Sequence, residues 1–409
     1  MSFDSVCVVG LGYIGLPTAS MFAQNGVRVT GVDANPRVVE SLQQGKVHIH
    51  EPGLTEVVTT VLRDGTLAIA SAPVEADAFI IAVPTPFYDD KKADLSHVRA
   101  AAESLVPVLR RGNLVVLEST SPPLTTQNVL RPILEQSGLN AGEDFLLAYS
   151  PERVLPGQIM KELVENARVI GGINPASAQA GKDLYLKFVR GEVVLTDAAT
   201  SEMVKLMENT FRDVNIAVAN EFSRLAERLG VDVWEAIRIA NRHPRVRILN
   251  PGPGVGGHCI SVDPWFLVES APDITHLIRA AREVNDTQPE FVLQSLKTIL
   301  PSPQGKRVAV LGLAYKPDVD DLRETPSLEV VRELVLAGAT VTAWEPYKPD
   351  FKAPNMKMAA SLEEAIQDAD VLLLLVGHSQ FKALDPEVVA QKTSARLVLD
   401  AVNAWPSQP

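Results

Sequence analysis

Cysteine is nearly absent from this chain, with 2 among 409 residues. Two thiols cannot build a disulfide framework, so a reducing compartment is the natural setting. Long apolar runs are absent too. No stretch of about 18 or more apolar residues occurs, which excludes a transmembrane helix. Basic residues are the minority, 38 against 50 acidic, for a formal charge of −12. That balance argues against nucleic acid or an anionic membrane as partner. No basic segment with a small-residue cleavage site precedes the first apolar run, Val6-Cys7-Val8-Val9. A cytoplasmic protein without a secretory signal is therefore expected. What remains is an ordinary globular composition, 46% hydrophobic and 22% charged. At roughly 150 residues per domain the length predicts two to three domains.

Short apolar runs alternate with helical stretches in the N-terminal third. Strands are expected at Val6–Val9, Arg28–Val32, Ala78–Val83, Leu114–Glu118 and Phe145–Ala148, with helices at Leu16–Asn25 and Pro36–Gln44 between them. Such alternation means a doubly wound parallel sheet. From about Thr200 the character changes. Met203, Met207, Phe211, Val214, Val218, Phe222, Leu225 and Leu229 recur at three- and four-residue steps without Pro or internal Gly up to Gly230. This predicts one helix of about 30 residues, or about 45 Å, of the kind that bridges domains or forms a dimer seam. Further helices are expected at Val233–Ala240, Ile274–Val284 and Phe291–Leu300, and Pro301 to Gly305 reads as a linker.

Beyond the linker the sequence repeats itself. Val308-Ala-Val-Leu-Gly-Leu-Ala314 echoes Val6-Cys-Val-Val-Gly-Leu-Gly12. Gly338 to Glu345 echoes Gly26 to Asp33, and Asp368 to Val376 echoes Glu75 to Val83. The architecture expected is α/β, with two Rossmann-like doubly wound domains, residues 1–196 and 301–409, joined by a helical middle, residues 197–300, that holds the long helix.

Gly10-Leu-Gly12-Tyr-Ile-Gly15 follows the first strand and opens a helix. Gly10 permits the tight turn, Gly12 the close approach of a pyrophosphate, and Gly15 the packing of helix on strand. The helix N-terminus offers free N–H groups and a positive dipole end to the phosphates. Asp33, ending the next strand, is placed to bond a ribose 2′-OH and to repel a 2′-phosphate, which selects NAD over NADP. Arg37 close behind it softens that discrimination. At the matching turn the second domain reads Gly312-Leu-Ala314-Tyr-Lys316, without the central glycine. Gly10 to Asp33 spans 23 residues but Gly312 to Glu345 spans 33, and the extra residues lie in or near Lys316 to Pro326. The second domain is thus expected to hold a different ligand. Lys316 and Arg323 either neutralise its pyrophosphate or are solvated on an acidic loop.

Asn250-Pro-Gly-Pro-Gly-Val-Gly-Gly-His-Cys259 is a fixed irregular loop that delivers His258 and Cys259 to the start of an element. A cysteine there is a candidate nucleophile, whereas Cys7, inside a strand, reads as a small core residue. His258 reads as support. One Cys beside one His lacks metal-ligand spacing, so no metal is expected. Lys205, Asn209 and Asp213 share one stripe of the long helix, with Glu202 and Arg212 beside it. The stripe is either a solvated face or part of a site. Thr120 and Ser150-Pro-Glu152-Arg153 follow strands at the carboxyl edge of the sheet, where ligands bind and where polar loops are also common.

Taken together, these motifs resemble the UDP-glucose/UDP-N-acetylhexosamine dehydrogenase family across nearly the whole chain. The carriers are Val8-Val-Gly-Leu-Gly-Tyr-Ile-Gly-Leu-Pro17, Ser119-Thr120, Ser150-Pro-Glu-Arg153, Lys205-Leu-Met-Glu-Asn209, Gly254-Val-Gly-Gly-His-Cys259 and Gly312-Leu-Ala-Tyr-Lys316 with Asp321-Leu-Arg-Glu324. The resemblance implies NAD in the first domain, a UDP-sugar at the second, and a four-electron oxidation of the sugar C6 alcohol using two NAD. It implies that Cys259 is the nucleophile that carries a thiohemiacetal and then a thioester. It makes Lys205, Asn209 and Asp263 the groups for oxyanion stabilisation and water or proton handling, Glu152 an acid/base carboxylate, and Thr120 a residue that places water and cofactor. Tyr13, Ile14, Pro84, Thr85 and Arg323 are implied on the cofactor side. On the substrate side it implies Arg153, Arg212, Arg242, His243, Arg245, Gly256, Tyr315 and Lys316. Arg153, Arg242, His243 and Arg245 serve either the acetamido sugar or a partner subunit's ligand.

Two departures from the UDP-glucose pattern point to the N-acetylhexosamine branch: Pro156 stands where a second glutamate is usual, and His258 precedes the cysteine. Within that branch Asn241-Arg-His-Pro-Arg-Val246 and Cys259-Ile-Ser-Val-Asp-Pro-Trp265 are most similar to the enzymes that oxidise UDP-N-acetyl-D-mannosamine. The alternatives are its C2 epimer, UDP-N-acetyl-D-glucosamine, and a cofactor-holding regulatory protein with no activity. A homodimer through the central helices is expected.

Overall fold

The apolar runs assemble into two sheets in the computed structural model, which describes residues 3–405. The first has eight strands: β1 (Ser5–Val9), β2 (Arg28–Val32), β3 (Leu67–Ala70), β4 (Ala78–Ile81), β5 (Leu114–Leu117), β6 (Leu146–Tyr149), β7 (Arg168–Gly172) and β8 (Val193–Asp197). Their spatial order is β3-β2-β1-β4-β5-β6-β7-β8, and only the β6–β7 pair is antiparallel. The second sheet has β9 (Arg307–Leu311), β10 (Thr340–Trp344), β11 (Met356–Met358), β12 (Val371–Leu374) and β13 (Leu397–Asp400). Its order is β11-β10-β9-β12-β13, parallel throughout. Each is the doubly wound arrangement expected. The winding direction reverses beside β1 in one sheet and beside β9 in the other, and ligands bind at the carboxyl ends there.

Burial on both faces explains why the central strands are unbroken apolar runs. Val6 and Val8 pack into one core layer with Phe22 and Tyr185. Cys7 and Val9 alternate into the opposite layer with Phe79 and Leu105. Burial pushes the Cys7 thiol up to about 11, so it is an inert core residue.

Three strands of the first sheet were not among those expected, for physical reasons. β3 has only four residues, of which Leu67 alone is fully buried. β8 is an edge with Val194 and Leu195 exposed. β7 starts with a charged residue and ends in two glycines; a Cβ at Gly171 would sit 2.3 Å from the Asp197 carbonyl oxygen. The strand expected to run to Val83 stops at Ile81, because the Val83 N–H goes to the Ser119 hydroxyl. The strand expected at Phe145–Ala148 is shifted one residue on, to Leu146–Tyr149.

The long helix spans Ala198–Leu229, 32 residues. It starts earlier than expected because the Asp197 carboxylate accepts from the Thr200 N–H and hydroxyl. Its apolar stripe is exposed in this chain. Met203, Met207, Phe211, Val218, Phe222, Leu225 and Leu229 are exposed, from 39% at Met203 to 71% at Phe211. The face turned inward is small and polar, with Glu202, Lys205, Leu206, Asn209, Asp213, Ala217 and Asn220 buried. The solvated reading of the Lys205-Asn209-Asp213 stripe is therefore incorrect.

The chain forms two compact units, Met1–Glu208 with Glu269–Ala271, and Asn209–Val268 with Pro272–Pro409. The expected helix at Val233–Ala240 is present; the next two run His276–Asp286 and Gln288–Ile299, with Pro289 in a first turn where its missing N–H costs nothing. Among the described residues no helix is long and apolar enough to cross a membrane.

Candidate active site

In the first unit the glycine turn separates what the chain needs from what a ligand would need. Gly10 has φ +94°, and a Cβ there would lie 2.5 Å from the Ala82 carbonyl oxygen. A Cβ on Gly15 would lie 1.8 Å from the Gly10 carbonyl oxygen. Folding alone demands both glycines. At Gly12 a Cβ would meet nothing within 4 Å. The bare backbone there serves no packing purpose and leaves room for a pyrophosphate. Gly15 then starts the helix Gly15–Gln24, and Tyr13 and Ile14 lie in the turn between. Asp33 follows β2, accepting from Leu11 N–H at 2.9 Å and Asn35 N–H at 2.8 Å. It anchors the glycine turn and is only partly buried. These features fit a dinucleotide. Arg37 is exposed in the first turn of the next helix, its N–H held by the Asn35 cap.

The carboxyl ends of β4 and β5 are tied together. The Thr85 hydroxyl donates to the Thr120 carbonyl at 2.6 Å, and Ser119 exchanges hydrogen bonds with both Val83 backbone groups. Pro84, Thr85 and Thr120 are thus neighbours beyond the switch point. Past β6, Glu152 binds Arg168 at 2.5 Å and accepts from the Arg153 N–H. Arg153 forks onto Glu208 and also donates to the Ala167 carbonyl. The loop after it is pinned by the buried Glu51, which accepts from the Gly157 and Ile159 N–H groups. Lys205, in this unit, is buried. Glu202 beside it accepts from Leu124 N–H, Thr126 N–H and the Thr126 hydroxyl, so its role is to hold that loop.

In the second unit the glycines of the central loop are required by close packing. A Cβ on Gly256 would lie 2.3 Å from the Glu324 carbonyl oxygen, and one on Gly257 (φ +85°) would lie 2.9 Å from the Tyr315 ring. Gly257 N–H also bonds the Arg323 carbonyl. The loop therefore lies on the 315–326 segment. It ends at Cys259, which is exposed. The Cys259 carbonyl accepts from Val262 and Asp263 N–H groups as the helix Asp263–Ser270 begins. Behind the loop, Asn209 donates to Asp263 at 2.5 Å with both side chains buried. Asp213 is elsewhere: it pairs with Arg282 at 2.5 Å and accepts from Asn285, whose partner Asn220 holds the Gly252 N–H. That buried network is scaffolding under the loop.

Three cations gather around Tyr315. Burial and then the charge of Arg212 hold the Lys316 ammonium below the ordinary lysine range. Tyr315 is pushed up to about 12 by burial first and by Asp321 and Cys259 next, while Arg323 and Arg212 oppose the shift. Like charges brought together in a half-buried place are costly unless an anion joins them. Asp321 partly fills that role: Arg323 forks onto it at 2.8 and 2.7 Å and His258 approaches it at 3.6 Å. Burial raises the Asp321 carboxyl, but those hydrogen bonds outweigh it and hold it well below the usual range. Arg242, His243 and Arg245 stand apart on an exposed turn closed by Asn241, which both donates to and accepts from Ile248.

The position equivalent to Asp33 is Glu345. It accepts from the Leu313 and Ala314 N–H groups and meets the fully buried His378 at 3.1 Å. His378 Nδ1 accepts from the Asp318 N–H. A side chain of the protein thus occupies the partner position that a ribose would take in a dinucleotide fold. Sequence reasoning missed Arg168 and Glu51, whose partners are distant in the chain. Among the described residues, no three His, Cys, Asp or Glu side chains are grouped to hold a metal ion.

Residues 4–189 match the NAD binding domain of the UDP-glucose/GDP-mannose dehydrogenase family, residues 199–287 its central domain and residues 309–407 its UDP binding domain. The chain is 48% identical over 427 residues to the UDP-N-acetyl-D-mannosamine dehydrogenase of Escherichia coli (strain K12), covering 99% of this chain and 100% of that one. It is 47% identical over 414 residues to the NDP-N-acetyl-D-galactosaminuronic acid dehydrogenase of Ralstonia nicotianae, covering 99% and 97%. The solved UDP-D-ManNAc dehydrogenase of Pyrococcus horikoshii superposes with a TM-score of 0.91 at 41% identity, covering 99% and 97%. The glycine turn before a dinucleotide-binding helix, the altered second turn and these full-length matches agree: the chain belongs to the UDP-glucose/GDP-mannose dehydrogenase family and is an NAD-dependent oxidoreductase of UDP-sugars.

Proposed function

We propose that this chain oxidises the C6 alcohol of UDP-N-acetyl-D-mannosamine to the carboxylate, through two hydride transfers and a covalent Cys259 intermediate. The observation that carries the reading is the lone exposed Cys259 at the end of a glycine loop laid on the Tyr315-Lys316 segment. NAD, when bound, supplies the hydride acceptor for each oxidation. Residues 1–196 bind it, residues 301–409 bind the UDP end, and residues 197–300 carry the nucleophile and the long helix. Gly10, Gly12, Gly15 and Asp33 form the cofactor cradle, with Tyr13, Ile14, Pro84, Thr85 and Thr120 around it. Lys316, Arg212 and Arg323 bind the pyrophosphate.

The chemistry follows from the residues. The alcohol loses a proton to the site and a hydride to the cofactor, leaving an aldehyde. An aldehyde cannot give up a second hydride until its carbon is tetrahedral. The Cys259 thiolate adds to it, and loss of the second hydride from the thiohemiacetal leaves a thioester. Water, deprotonated by a carboxylate, displaces the thiolate and yields the acid. Lys205 and Asn209, one turn apart on the long helix, stabilise the alkoxide and later the oxyanion. Asp263 and Glu152 handle water and protons.

The exposed apolar stripe of the long helix supports a homodimer, since a monomer rarely leaves so large an apolar face in water. The acidic sugar product suits polysaccharide assembly in the cytoplasm. Near-equal identity to the relative named for galactosaminuronic acid favours a second reading, a galacto-configured substrate. Following NADH formation with the manno-, gluco- and galacto-configured UDP-N-acetylhexosamines decides the sugar. Cys259→Ser should lose steady uronate production while keeping NAD and UDP-sugar binding. Uronate formation near the unmodified rate in that variant would overturn the covalent assignment.

A further inference from the structure

The first unit contains a buried charged chain behind Glu152, of which the proposed reaction uses Glu152 alone. Glu118 follows β5 directly and its side chain is fully buried. Its carboxylate accepts from the Tyr185 hydroxyl at 2.6 Å and the Thr18 hydroxyl at 3.4 Å, and lies 3.5 Å from Arg168. Arg168 is buried as well, stacked over the Tyr185 ring at 4.1 Å, and its other terminal nitrogen binds Glu152 at 2.5 Å. A hydrogen bond to the Ser150 hydroxyl fixes the guanidinium plane. One cation therefore stands between two carboxylates. Core packing alone gives no reason to bury three charged side chains in an otherwise apolar layer, because each charge carries a desolvation cost.

We infer that Arg168 and Glu118 are positioning residues for Glu152, with the guanidinium shared between a carboxylate at the site and a carboxylate behind it. This rests on the proposed role of Glu152 as a base. When Glu118 carries a proton, Arg168 binds Glu152 alone and holds it in place. When Glu118 is ionised, it competes for the same guanidinium, and the Glu152 carboxylate is freer to meet the reacting groups. The titratable and charged groups facing Glu118 are Arg168, Glu152 and Tyr185. Burial first, and the charge of Glu152, push its carboxyl up to about 7 against the pull of Arg168. The competition thus falls in the working pH range.

The test is the pH profile of kcat for uronate formation, measured from about pH 6 to 9 with both substrates saturating. The unmodified enzyme should gain rate through an inflection near 7. Glu118→Gln keeps the shape but not the charge, so that inflection should vanish and kcat at high pH should fall roughly tenfold. The KM for each substrate should stay within about twofold. Tyr185→Phe removes a donor to the ionised form, so the inflection should move to higher pH. It also keeps the test open where Glu118→Gln fails to fold. An unchanged profile in both variants, or a change in KM alone, would overturn the inference. Glu152→Gln separates the two readings: full activity in that variant removes Glu152 from the reaction, whereas its inactivity beside unchanged Glu118 and Tyr185 profiles refutes only the shared guanidinium.

Discussion

The Asn209 amide donates to the Asp263 carboxylate at 2.5 Å, and both side chains are buried. The bond joins the inward face of the long helix to the first turn of the helix that follows Cys259. It orients the Asn209 amide so that its remaining donor is fixed before any substrate arrives. Asn209→Ala should lower kcat by about 10²–10³, the loss typical of one oxyanion donor. It should also cost about 1–3 kcal/mol of stability, because Asp263 loses a buried partner. Asn209→Asp is the sharper variant. It sets two carboxylates against each other, so the folded protein must retain a proton that the unfolded chain gives up. Native binding of that extra proton means stability falls as pH rises through the ordinary carboxylate range. Urea unfolding at several pH values checks the sign; a pH-independent difference from the unmodified protein would place the two groups further apart.

Asp33 anchors the Leu11 N–H, and the role proposed for it is to bond a ribose 2′-OH as well. Asp33→Ala should weaken NAD binding by about 1.5–3 kcal/mol and narrow the preference over NADP. Asp33→Asn keeps hydrogen-bonding capacity for the turn but removes the charge that repels a 2′-phosphate. It should therefore narrow the preference while losing less NAD affinity. Comparing kcat/KM for both cofactors in the three proteins tests this. Equal values for NAD and NADP in the unmodified enzyme would refute the role given to Asp33.

The outward apolar stripe makes a separate prediction. Phe211→Glu with Leu225→Glu introduces charges on exposed positions about four turns apart. In a monomer these changes touch no packed core and should be neutral. In a dimer built on this helix they should shift sedimentation to the monomer mass at micromolar concentration, with helicity unchanged. An assembly state indifferent to both changes would assign the stripe to something other than self-association.

What the sequence made legible depended on distance along the chain. The glycine turn, its helix and Asp33 lie within 23 residues, and each is fixed by local rules of turn and strand. The repeat of β1, β2 and β4 in β9, β10 and β12 was readable because the same local rules act twice. The long helix and its apolar stripe were readable, but the burial of its polar face was not. Apolar periodicity reports a face that avoids water, and here the polar face is the one the protein itself buries. Partnerships such as Arg168 with Glu118, 50 residues apart, or Glu345 with His378, 33 apart, arise only when strands are laid side by side. No local pattern carries them.

The segment that replaced the dinucleotide turn is anchored through its backbone independently of Lys316. His378 accepts from the Asp318 N–H, the Asp318 carboxylate accepts from Ser379 and Tyr347, and Arg323 is braced on Asp321. Lys316→Ala should therefore leave the loop in place and remove one charge. If Lys316 meets the pyrophosphate, the variant loses a charge-assisted contact of about 1.5–3 kcal/mol, or roughly 10- to 150-fold in UDP affinity. NAD affinity should barely change. The pH dependence is a second check. Burial and Arg212 lower the Lys316 ammonium, so it discharges before an ordinary lysine does. UDP affinity of the unmodified protein should decline on the alkaline side before the ordinary lysine range is reached, and that limb should be missing from Lys316→Ala. Calorimetric titration with UDP and with NAD reads both effects. Unchanged UDP affinity together with weakened NAD binding would mean that the two nucleotide-binding folds hold the opposite ligands.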